Sequence, residues 1–85
     1  MTSKAEKLLV RMRQTQEGWK RGDLETLYNG FGFAIRPGAK HDIVEHPEFP
    51  QLRTTLSRKN YLAKGYVRQA LSLIGELIRL KGLEV

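Results

Sequence analysis

Over residues 65–81 the apolar positions Val67, Ala70, Leu71, Ile74, Leu77 and Ile78 recur at i, i+3, i+4, i+7 without a miss. That spacing predicts a helix with one continuous apolar face, which Tyr66, Leu73 and Leu80 widen along a second edge. A helix of this kind draws its stability from burying the face, so the rest of the chain has to supply a surface for it. Its apolar girth is wide enough to meet a partner as well as its own sheet. The chain has 85 residues and no cysteine, which leaves room for one modest core and excludes a disulfide framework or a cysteine-ligated metal. Residues 1–85 are expected to form a single domain.

Two further helices and three strands follow from period and punctuation. Ser3 and Glu6 make a capping box before a helix predicted over residues 4–17, with Ala5, Leu8, Leu9 and Met12 on one side. Gly18 and Gly22 bracket Trp19, an anchor for the connection to the body. A second helix is expected to start at Asp23 as its cap and to run through Leu24, Leu27 and Tyr28. It should stop at Asn29-Gly30, a pair suited to the left-handed conformation that ends helices. The period then drops to two. Phe31, Phe33 and Ile35 predict a strand over 31–36, Pro37-Gly38 a turn, and residues 41–46 a returning strand. Beyond Pro47 and Pro50, residues 52–58 form a third strand with Leu52, Thr54 and Leu56 inward. The order α-α-β-β-β-α predicts an α+β fold, a three-stranded antiparallel sheet with helices packed on one face.

Charge narrows the class of partner. The net charge is +6, and it is divided unevenly. Residues 1–22 carry six Lys/Arg against two acids and residues 51–85 seven against two, whereas residues 23–50 carry two against five. Two basic flanks around an acidic middle point to a polyanion, most often nucleic acid, or else to two solvated helix faces. The N-terminal MTSKAEKLLVRMRQ has charges throughout its short apolar stretch. It reads as neither a signal peptide nor a membrane span, and a cytoplasmic protein without membrane contact is expected.

Both histidines, His41 and His46, lie between Gly38 and Pro47. Five residues apart on a strand they face opposite ways, so as a metal pair they are poor, and no metal or other cofactor is expected. There is no G-x-S-x-G elbow and no glycine-rich phosphate loop ahead of a helix. His41 remains as a lone general base. RNA is the substrate for which one imidazole suffices, because the ribose 2′-OH is an internal nucleophile beside the scissile phosphate. Cations to hold the developing charge are near in sequence or on adjoining strands: Lys40, Arg36, Arg53, Arg58 and Lys59. The alternative is that His41 only begins a strand. His46 reads as a strand-end residue stacked on Pro47. Phe49 and Tyr61 are the aromatics free to stack on bases, and Arg53, Arg58, Lys59, Lys64 and Arg68 are the set for phosphate contacts.

An ordered set of landmarks in residues 23–71 resembles the HicA family, the mRNA interferase toxins of HicA–HicB toxin–antitoxin systems. The landmarks are Leu24, Leu27 and Tyr28, then Gly32-Phe33, then Gly38-Ala39-Lys40-His41, then His46-Pro47. The stretch Gly65-Tyr66-Val67-Arg68-Gln69-Ala70-Leu71 at the start of the last helix completes the set. The resemblance implies a fold like the double-stranded-RNA-binding domain and cleavage of mRNA without a metal, with His41 catalytic. It places Gly38 where the backbone turns close to substrate, beside Lys40, Arg36, Arg53, Arg58, Lys59 and Arg68 as substrate-binding residues. It also implies a HicB-type antitoxin that covers the His41 face and carries the DNA-binding function, so no direct DNA binding by this chain is expected. Three features depart from the family pattern. Ala39 stands in place of the usual serine, Asp42 and Glu45 put acids beside the site, and residues 1–22 add a helix ahead of a core over 23–81. The acid pair is what a non-catalytic RNA-binding domain of the same fold would show. The wide apolar surface of the last helix is what a protein-binding adaptor would show.

Overall fold

The chain runs α1 (Lys4–Gln14), α2 (Arg21–Gly30), β1 (Ala34–Arg36), β2 (Asp42–Glu45), β3 (Arg53–Leu56) and α3 (Lys64–Lys81). This is the expected order, and the structure, a computed structural model, describes residues 3–83. The strands form an antiparallel meander with β2 in the centre. Ile35 lies opposite Val44, and Val44 opposite Thr54. Alternation from that register puts Ile35, Val44, Thr54 and Leu56 on one face, where α2 packs on β1 and α3 on β3. Ala34, Arg36, Ile43, Glu45, Arg53 and Thr55 occupy the other face, and each is exposed or half-buried. From α2 to α3 the order is α-β-β-β-α, that of the double-stranded-RNA-binding domain.

The apolar girth of α3 is consumed within the molecule. Val67, Ala70, Leu73, Ile74 and Leu77 are buried, and Tyr66, Leu71 and Ile78 pack half-buried against the same cluster. The helix has neighbours on two sides, with β3 on one and α1 and α2 on the other. That is why its second edge is covered as far as Leu73, and only Leu80 stays exposed. The same cluster contains Leu8, Leu9 and Met12, so the apolar stripe of α1 is part of the core that holds Leu24 and Leu27.

Element ends differ from the sequence reading where side chains or turns compete for the backbone. Ser3 Oγ accepts from the Glu6 N–H at 3.1 Å, as the capping box requires. The helix nevertheless stops at Gln14, because Thr15 is extended and the Gln16 side chain donates to the Met12 carbonyl at 2.7 Å. Asp23 is not the cap of α2. The helix begins at Arg21 after Lys20, and the Asp23 carboxylate accepts from the Lys20 N–H at 3.0 Å from the third helical position. Lysine has no acceptor to complete a reciprocal box, so the acid does the capping from inside. At the other end Gly30 stays helical and the positive φ, +86°, falls on Gly32. The N–H groups of Phe31, Gly32 and Phe33 all return to carbonyls in the last turn of α2. Strand pairing therefore starts only at Ala34, three residues after the predicted start. No helix among the described residues is long and apolar enough to cross a membrane.

Candidate functional site

In an antiparallel meander the end of β1, the start of β2 and the end of β3 share one end of the sheet. The segment from Pro37 to His41 joins β1 to β2 there, and its tightness depends on Gly38. A Cβ at that position would overlap the His41 carbonyl oxygen and press on the Ile43 side chain. His41 closes the turn, directly precedes β2 and is exposed.

Two arginines fasten this turn to the body. The Arg58 guanidinium donates from Nε to Asp42 Oδ1 at 2.9 Å, from Nη1 to the Lys40 carbonyl at 3.3 Å and from Nη2 to the Gly38 carbonyl at 2.5 Å. Arg21 donates to the other Asp42 oxygen at 2.5 Å, to the Ser57 carbonyl at 2.9 Å and to Glu25 at 2.6 Å. Both carboxylate oxygens of Asp42 are thus taken by guanidinium groups, and the residue next to His41 is held from two sides. The Arg58 guanidinium, and behind it Arg21, holds the Asp42 carboxyl below the usual carboxylate range, against the opposing effect of partial burial. A carboxyl depressed in the folded state adds stability that is complete above the unfolded value of about 3.9 and is lost as pH falls through the folded value. The clamp is therefore expected to stay shut at neutral and mildly acidic pH and to open only below about pH 4. An NMR titration of the Asp42 carboxyl from pH 7 to pH 2 checks this, and protonation already at pH 5–6 contradicts it.

The clamp changes the meaning of two residues. Asp42 is not a bare negative charge, because its carboxylate is paired with two guanidinium groups, one of them shared with Glu25. Arg58, a predicted substrate ligand, spends its donors on the turn that ends in His41. Arg58→Ala is expected to release residues 38–41 from the body and raise their backbone mobility. Arg58→Lys should not restore order, since one ammonium cannot span three fixed acceptors. Backbone NMR relaxation of the two variants is the measurement, and full rescue by lysine would reduce Arg58 to a charge.

The other predicted residues separate into two groups. Lys40, Arg36 and Lys59 are exposed at the same end of the sheet as His41. Arg53 pairs with Glu45 at the opposite end of β3, at 3.8 Å. The register places it three residues along the strand from Leu56, roughly 10 Å away. Arg68 is exposed on the second turn of α3, a different element. Gly38, Lys40, His41, Arg36, Arg58 and Lys59 thus lie at one end of the sheet, whereas Arg53 and Arg68 lie elsewhere.

His46, read from the sequence as a strand-end residue stacked on Pro47, is a core residue. It is 2 % exposed and meets Phe33 edge-on at 5.0 Å and Phe49 at 5.5 Å between ring centres. Its Nδ1 accepts from the Glu48 N–H at 3.1 Å, while Nε2 has no hydrogen-bond partner in the structure. Phe49 is drawn into this contact and half-buried, so of the two loop aromatics only Tyr61 is open.

Sequence reasoning missed Arg21, which had counted only as one more charge in the basic N-terminal flank. Its one local signal is Glu25 four residues on, an i, i+4 pair at the start of a helix. Its partners Asp42 and Ser57 are remote in the chain and invisible to spacing. Beside the turn, between α2 and β1, runs a groove of about 360 Å³ lined by Arg21, Glu25, Asn29, Ile35, Arg36, Pro37 and Asp42. Among the described residues no three His, Asp or Glu side chains gather where they would hold a metal ion. Comparison with protein-family models, with curated proteins and with solved structures gives no match.

Proposed function

We propose that the protein is an endoribonuclease of the HicA type, the toxin of a toxin–antitoxin pair, in which His41 activates the ribose 2′-OH. The observation that carries the reading is the presentation of His41. A solitary imidazole stands exposed on a turn that is clamped by Arg58 and flanked by exposed Lys40, Arg36 and Lys59. Neutral imidazole takes the 2′-OH proton, O2′ attacks phosphorus and the P–O5′ bond breaks, with the leaving oxygen protonated from solvent. The products are a 2′,3′-cyclic phosphate and a 5′-OH. The cations stabilise the negative charge that gathers on the phosphorane oxygens. An antitoxin covering this end of the sheet would block substrate and catalytic residue together.

The features that favoured the rivals lose force. The acid next to His41 is offset by Arg21 and Arg58, and the apolar face of α3 is spent on the core. The test is incubation of the protein with an unstructured RNA in EDTA, with analysis of product ends. Cyclic-phosphate termini are expected. Intact RNA, with salt-sensitive binding retained, would favour the RNA-binding domain, and the absence of both would favour the adaptor.

A further inference from the structure

We infer that Tyr61 is a nucleobase-stacking subsite for single-stranded RNA, built beside the His41 turn and rigidly connected to it. The inference rests on the ribonuclease reading for its substrate class, and on its own observations for its place. Tyr61 is the most exposed large apolar side chain among the described residues, at 68 %. It is not on a loose loop. Tyr61 and Lys20 form an antiparallel β-bridge, flanked on both sides by Arg21 N–H to the Asn60 carbonyl at 2.8 Å and Leu62 N–H to the Trp19 carbonyl at 3.3 Å. The backbone thus holds the tyrosine still while its ring is left in water, an arrangement without a packing purpose.

The surroundings favour a flat ligand on an anionic chain. The Lys20 ammonium lies over the ring, 5.4 Å from its centre. A side chain this exposed cannot be covered on its second face as well, so one face of the phenol ring is open. Lys59 stands two residues before Tyr61 and is exposed. An aromatic face with a flanking cation is how proteins hold an unpaired base and its phosphate.

Arg21 ties the subsite to the reactive turn. Its backbone N–H binds the Asn60 carbonyl next to Tyr61, and its guanidinium binds Asp42 next to His41. Arg58, which clamps the turn, is three residues from Tyr61, a reach of no more than about 11 Å along the chain. A base stacked on Tyr61 therefore belongs to a nucleotide close to the one whose 2′-OH faces His41. Stacking accepts any base, so the subsite adds affinity and register with little sequence choice.

The test uses the full chain carrying His41→Ala, so that RNA survives, and two fluorescent dodecamers, one an unstructured RNA and one an abasic ribose-phosphate chain of equal length. Tyr61→Ala is expected to weaken binding of the base-bearing RNA by about 5- to 150-fold. Tyr61→Phe should retain it, and all three proteins should bind the abasic chain alike. Equal affinity of Tyr61→Ala for the base-bearing RNA overturns the subsite and leaves the tyrosine to a protein partner. A loss of the same size on the abasic chain overturns it too. A tyrosine-dependent loss in a protein whose wild type does not cleave RNA keeps the subsite and overturns the nuclease. Failure of the His41→Ala protein with Tyr61 intact to bind either chain overturns both.

Discussion

Replacing His41 with alanine is expected to remove RNA cleavage while leaving the fold as it is. Loss of a positioned general base costs about 10²–10⁴-fold in rate. The stability change should stay within about 0.5 kcal/mol, because the side chain is exposed and fills no cavity. The two readouts together make the result interpretable. A protein that melts where the wild type does, yet no longer cuts, has lost chemistry alone. His46→Ala supplies the contrast, since that imidazole is buried between Phe33 and Phe49 and its removal leaves a hole. It is expected to lower the melting temperature, and any fall in rate should follow the fraction of unfolded protein. Cleavage that survives His41→Ala at the wild-type rate would move the base elsewhere. The groove between α2 and β1, with Glu25 and Asp42 in its wall, would be the next place to search.

The difference between the two histidines shows what sequence can convey here and what it cannot. Alternation along a strand over 41–46 put them on opposite faces, but both stand just outside β2, at its two ends. Their separation comes from the turn and the loop that flank the strand. Val44 and His46 point to the helices, and His41 lies beyond the strand at the turn. The helix at 64–81 and the three-strand order were legible, since the period of apolar residues is written along the chain. Burial of His46 was not legible. Phe49 is only three residues on, but burial is completed by Phe33, which arrives from the segment just before β1 and from outside any short window of sequence.

The clamp around Asp42 escaped a sequence reading for a related reason. Its three charged members come from α2, β2 and the segment after β3, and each looks ordinary in its own neighbourhood. Taken alone, an acid beside His41 argues against a phosphodiester substrate. Taken with Arg21 and Arg58, it is the anchor that orders the turn, and with Glu25 paired to Arg21 the charges of the cluster cancel. The cations available for substrate shrink accordingly to Lys40, Arg36 and Lys59, three residues with exposed side chains at one end of the sheet.

The second large effect concerns α1, which makes no part of the proposed chemistry. A chain beginning at Gln16 is expected not to fold, because Leu8, Leu9 and Met12 belong to the same cluster as Leu24, Leu27 and Leu77. Leu9→Ala isolates the effect in one side chain. Leu9 is fully buried, and truncation of a buried leucine costs about 2–5 kcal/mol. A domain of 85 residues holds about 4–13 kcal/mol in all, so this single change consumes a large part of the margin. Val10→Ala on the same helix, where the side chain is 48 % exposed, should be close to neutral. Urea unfolding of the two variants measures the difference directly. The consequence reaches the site through α2, whose first residue, Arg21, carries one side of the clamp on Asp42. Loss of α1 would loosen α2 and with it the turn, so activity should fall together with stability although no residue of the site has changed. A chain without α1 that unfolds cooperatively and still cuts RNA would show instead that the core from α2 to α3 closes on its own.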